Sequence, residues 1–144
     1  MFDELVKELI SRLEGTEGRN RSRNDVAQKH FNHAVRVLVT DLWKACKSYP
    51  VAECLINKRS GYYSANPRYR DKNLTYKQTM AAYDGLTRLG MIEETARGYF
   101  DHSTLQGNLT RYIARDELLE RLTELEGRPA LLPSYDDDAE IIIF

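Results

Sequence analysis

With 144 residues, of which 42% are hydrophobic and 30% charged, the chain has the composition of a globular protein that can bury its own core. No apolar run approaches the roughly 20 residues that span a bilayer, and Met1-Phe2-Asp3-Glu4 is acidic where a signal peptide is basic, so no membrane segment and a cytoplasmic location are expected. The formal net charge of −1 hides a segregation: residues 15–72 hold twelve basic and five acidic groups, whereas residues 116–144 hold two and nine, so the middle of the chain is the part suited to a polyanion.

The first element is a short helix over residues 1–14, in which Phe2, Leu5, Val6, Leu9, Ile10 and Leu13 form one apolar stripe. Residues 15–23 carry turn formers and three arginines without apolar periodicity and read as a basic linker. A helix isolated by such a linker is expected to dock elsewhere, so Phe2, Leu5, Leu9 and Leu13 are assigned to self-association or a protein partner. From a cap at Asn24 or Asp25 a long scaffold helix runs to about Lys47, with Ala27, Phe31, Ala34, Val35, Leu38, Leu42, Ala45 and Cys46 on one face. Its outer face presents Lys29, His33, Arg36, Thr40 and Lys47. Cys46 and Cys54 are expected as buried thiols, since a chain of this size needs no disulfide. Val51 to Ser64 reads as a short strand, and residues 66–73 leave room for no more than one helical turn.

Thr75-Tyr76-Lys77-Gln78 fits a capping box at the start of a helix over about 75–89. At 100° per residue, Thr79, Ala82, Tyr83, Leu86 and Leu89 share one arc, and Lys77, Ala81, Asp84 and Arg88 lie opposite. Gly90 supplies the stop, because it adopts positive φ without penalty. Met91 to Phe100 and Leu109 to Arg115 then read as two strands of a hairpin around a polar loop at residues 101–108. A last amphipathic helix begins near Asp116 and uses Leu118, Leu119, Leu122 and Leu125. Beyond it, Asp136-Asp137-Asp138 forms a solvated acidic loop and Ile141 to Phe144 reads as a strand that pairs with a neighbour or belongs to a longer polypeptide.

Leu86-Thr87-Arg88-Leu89-Gly90-Met91-Ile92, then Gly98-Tyr99-Phe100 and Gly107-Asn108-Leu109-Thr110-Arg111, resembles winged-helix DNA-binding domains, those of plasmid and phage replication proteins and small prokaryotic regulators in particular. The resemblance implies a mainly α fold with a small β-hairpin (α+β), a winged helix-turn-helix over residues 24–127, with an extra N-terminal helix and an acidic C-terminal extension at 128–144. It also implies double-stranded DNA as partner, the helix at 75–89 in the major groove, the hairpin 91–115 as wing, and a role in replication or transcription regulation of a phage or mobile element.

A helix reads the major groove with its first residues and outer face, which selects Lys77, Gln78 and Ala81, with Arg88 nearer the backbone. Asp84 on that face is expected to pair with Arg88. Lys58, Arg59, Arg68, Arg70 and Lys72 interleave with tyrosines in a loop suited to phosphate contact. Arg97, His102 and Arg111 in the hairpin are the candidate wing contacts. Each of these surfaces has a plain alternative as a solvated helix face or polar hairpin. His30 and His33 lack a third ligand of suitable type, and no triad or phosphate-cradling loop is present, so no metal, cofactor or catalysis is expected. The competing functions are a protein-interaction adaptor of the same fold and the DNA-recognition part of a larger nucleic-acid enzyme.

Overall fold

In the computed structural model, residues 1–16, 23–48, 51–59, 63, 72–101 and 106–125 are described. They form α1 (Phe2–Thr16), α2 (Asp25–Ala45), β1 (Cys54–Ile56), α3 (Tyr76–Arg88), β2 (Ile92–Ala96), β3 (Tyr99–Asp101), β4 (Gln106–Asn108), β5 (Thr110–Ala114) and α4 (Asp116–Leu125). This is an α+β chain, mostly helical among the described residues, with a small antiparallel sheet. No helix among the described residues is long and apolar enough to cross a membrane. Of the reduced middle helix expected at residues 66–73, residues 66–71 lie outside the described residues and Lys72 and Asn73 form a turn; the Asp136–Asp138 loop and the Ile141–Phe144 strand also lie outside them. The chain divides into two compact units, Met1–Val39 with Asn57–Leu89 and Thr40–Ile56 with Gly90–Phe144.

In the first unit, α1 runs antiparallel to the first part of α2, since Asp3 pairs with Arg36 while Glu14 accepts from Gln28 at 2.8 Å. Asn24 caps α2 as expected, its Oδ1 accepting the Ala27 amide at 2.8 Å. The partner-docking role for α1 is not what the fold does with it. Leu5, Leu9 and Leu13 are buried to 2%, 1% and 0% exposure, and only Phe2 of the proposed four is half-exposed, beneath the Arg36 guanidinium. The cause lies far along the chain: a Cβ at Gly85 of α3 would stand 2.6 Å from Leu13 Cδ2, so the glycine leaves the slot that Leu13 fills. The apolar stripe of α1 is therefore buried within this unit; of the expected linker at 15–23, Gly15 and Thr16 belong to α1 and Arg23 is docked.

Arg23 stacks its guanidinium 3.7 Å from the centroid of the Phe31 ring and donates from Nε to Gln78 Oε1 at 2.8 Å. Thr75 takes the N-cap conformation (φ −105°, ψ 145°), but the capping box is not made: Gln78 is engaged by Arg23, and the Thr75 hydroxyl makes no cap bond. Phe31, Ala34, Val35, Leu38 and Val39 of α2 and Ala82, Tyr83 and Leu86 of α3 complete the core of this unit.

In the second unit the sheet order is β1-β5-β2, with β5 in the middle and antiparallel to both neighbours. Gly90, at φ +73°, turns the chain out of α3 into β2, a conformation that a Cβ penalises. The register slips between Glu94 and Ala96, a bulge beyond which the hairpin continues as β3 paired with β4. Strand pairing thus reaches into the expected loop at 101–108, leaving 102–105 outside the described residues. Cys54, Ile56, Ile92, Tyr112 and Ala114 bury one face of the sheet, Met91 is buried just before β2, and Leu118, Leu119 and Leu122 bury one face of α4. Cys46 and Cys54 are free thiols, both buried.

Candidate nucleic-acid interface

Helical geometry separates two faces of α3. Thr79, Ala82, Tyr83 and Leu86 are buried, whereas Lys77, Asp84, Thr87 and Arg88 are exposed and Ala81 is half-exposed. Lys77, Ala81, Asp84 and Arg88 follow at the four- and three-residue steps that stack side chains in one row. Among the described residues no ion pair joins Asp84 to Arg88, so the row carries two cations and one carboxylate at separate positions. No acidic residue occupies the first turn of α3. The positive end of the helix and Lys77 therefore act together on an approaching anion.

Gln78 does not belong to this row. It is 6% exposed and held by Arg23, so the expected role in base reading is corrected to a bracket inside the unit. Its Oε1 is already an acceptor for a guanidinium, and releasing it would leave a buried amide unpaired. Tyr76, by contrast, was not singled out by the sequence pattern and is 37% exposed beside Lys77. Its ring meets Tyr63 edge-on at 5.5 Å and 75°, and the Tyr63 hydroxyl donates to the Asn57 carbonyl at 2.6 Å. A rigid, partly exposed phenol at the head of α3 is the kind of group that contacts a backbone sugar or phosphate; its signal in the sequence was no more than its place at the first helical position.

The basic loop divides. Lys72 is exposed, and its carbonyl accepts a hydrogen bond from the His33 ring. Arg59 is exposed at a turn where its amide donates to Asn57 Oδ1 at 2.8 Å. Lys58 is half-buried with its ammonium 4.8 Å from the centroid of Tyr83, a cation–π contact that draws it toward the core of the unit. Arg68 and Arg70 lie outside the described residues, as does His102.

In the second unit the hairpin arginines meet carboxylates. Arg97 lies 3.7 Å from Glu94 and Arg111 3.5 Å from Glu53, which also accepts from Thr95; Arg115 pairs with Glu93. Arg97 keeps 83% of its side chain exposed and Arg111 48%. Exposed pairs of this kind contribute at most about 1 kcal/mol, so a phosphate can displace the carboxylate at small cost. Tyr99, 60% exposed on β3, adds an aromatic surface to the hairpin that charge alone did not reveal.

Among the described residues no three His, Cys, Asp or Glu side chains converge on a possible metal position. No protein-family model matches this sequence, and neither a curated protein nor a solved structure is similar enough to count as a match.

Proposed function

We propose that this chain is a winged-helix protein that binds duplex DNA, with α3 as the major-groove helix and the hairpin from β2 to β5 as the wing, acting in replication or regulation of a phage or mobile element. The observation that carries the reading is the outer row of α3. Lys77 and Arg88 stand exposed in one row with half-exposed Ala81 and a single carboxylate, Asp84, on a helix whose other face is packed and whose first turn carries no acidic side chain. A cation in the first turn of a helix works against the helix dipole, by about 0.3–1 kcal/mol, and an anionic ligand reverses that sign. The Gly90 turn and the three-stranded arrangement that follows also support the reading. The adaptor alternative loses the face it relied on, because the α1 stripe is spent inside its own unit.

The test is fluorescence anisotropy with a labelled duplex over about 50 to 200 mM salt, where counterion release makes affinity fall with a slope of about −0.9 per phosphate contact. The wild-type chain binds at about 50 mM, and Lys77→Ala with Arg88→Ala lowers the slope by about 2. Absence of binding at the lowest salt would refute the reading.

A further inference from the structure

An open groove of about 390 Å³ runs between α1 and α2 of the first unit. Val6 and Ile10 line its apolar floor, and Lys7, Asn32, His33 and Arg36 stand along it. Lys7 and Arg36 are exposed and His33 is half-exposed. The opposing charge is Asp3, whose carboxylate is engaged by Arg36; this contact holds its carboxyl below the usual range. We propose that this groove seats a backbone phosphate of the same duplex that α3 engages, so that the DNA footprint extends from α3 onto α1 and α2.

This placement rests on the duplex-binding reading of α3, and the two surfaces are continuous. A carbonyl can only accept, so the His33 Nε2 that meets the Lys72 carbonyl carries a hydrogen. This bond ties the groove wall to the chain entering α3. Lys72 is exposed, and three residues later Thr75 occupies the N-cap position of the helix. Three residues of chain reach at most about 10 Å, and a B-form strand carries a phosphate about every 3.4 Å of axis, so that span covers about three phosphates. A duplex held at the head of α3 therefore brings flanking phosphates within reach of this groove.

Electrostatics select the same occupant. Lys7 is a cation beside an amide donor, Asn32, and beside an arginine whose carboxylate partner is exposed and exchangeable. An open groove with so few charges holds a free ion weakly. A phosphate delivered by a polymer already bound through α3 arrives at a high effective concentration, and a single cation then suffices.

The test measures duplex affinity and its salt slope for the full chain and three variants, each checked to be folded by circular dichroism at the assay temperature. Lys7→Gln is expected to weaken binding about eightfold near 0.1 M salt and to reduce the slope by about 0.9, the contribution of one phosphate. Asp3→Asn is expected to strengthen binding, because it removes the carboxylate that competes for Arg36. Lys44→Gln, which removes an exposed cation outside the groove, is expected to leave affinity unchanged. If the wild-type chain binds DNA while Lys7→Gln and Asp3→Asn do not move it, the groove is overturned and the α3 reading stands. If Lys44→Gln weakens binding as much as Lys7→Gln, the effect is one of net charge and the groove is likewise overturned. Failure of the wild-type chain to bind removes both.

Discussion

Gly85 is the point at which α3 passes over α1, and the contact there sets up a double-mutant cycle. Replacing Gly85 by Ala relieves the conformational cost of glycine inside a helix, worth about 1 kcal/mol in favour of the variant. The same methyl group would lie 2.6 Å from Leu13 Cδ2, and Leu13 is fully buried, so its side chain must shift within a packed core. Overpacking of this kind costs about 1–3 kcal/mol. Gly85→Ala is therefore expected to be neutral or destabilising by up to about 2 kcal/mol in the wild-type background. Leu13→Ala alone is expected to cost about 2–5 kcal/mol through lost burial and a cavity. In that background the slot is empty, so Gly85→Ala recovers the full helix-propensity gain and becomes stabilising by about 1 kcal/mol. The coupling between the two sites is then about 1–3 kcal/mol in magnitude, measured by urea denaturation followed by far-ultraviolet circular dichroism. A coupling below about 0.5 kcal/mol, with Gly85→Ala stabilising in both backgrounds, would refute the packing of α1 against α3.

Two further expectations follow from local geometry. Asn24→Ala should lower stability by about 1 kcal/mol because its carboxamide caps α2, whereas Thr75→Ala should be within about 0.5 kcal/mol of neutral because its hydroxyl makes no bond; thermal melts of the two variants compare them directly. Asp3 should titrate below the ordinary aspartate range, owing first to its hydrogen bond with Arg36, and carboxyl NMR resonances through an acid titration should return it to that range in Arg36→Gln. Since the folded value is the depressed one, the stability this pair adds is present above the unfolded-state value and is lost as the pH falls through the folded one.

Local signals carried most of the architecture. The 3.6-residue periodicity of α2 and α3, the Asn24 cap and the Gly90 stop each depend on neighbours in sequence, and each stands in the structure where the residues indicated, whereas the strand expected over 91–100 is divided into β2 and β3 and pairing extends into the expected loop. What escaped depends on partners far along the chain. The stripe on α1 looked unpartnered because its slot is made by Gly85, and Gln78 looked solvent-facing because the residue that holds it is Arg23. A capping-box pattern states only that two groups can satisfy each other; a guanidinium arriving from another segment is a stronger donor to the same amide. Of the candidate DNA contacts, Lys77, Arg88, Lys72, Arg59 and Arg97 are open to solvent, and Ala81 is half-exposed. Lys58 and Arg111 are drawn into contacts with Tyr83 and Glu53, which no spacing rule could have announced.

The central position of β5 has a consequence for how the protein is made. Ile56 pairs with Thr110, so β1 leaves the ribosome long before the strand that completes it exists. At about 5–20 residues per second, a nascent chain waits for seconds with Cys54 and Ile56 uncovered. Pairing of β1 must also close a loop of more than fifty residues, a non-local contact whose closure entropy has to be met before the pairing contributes.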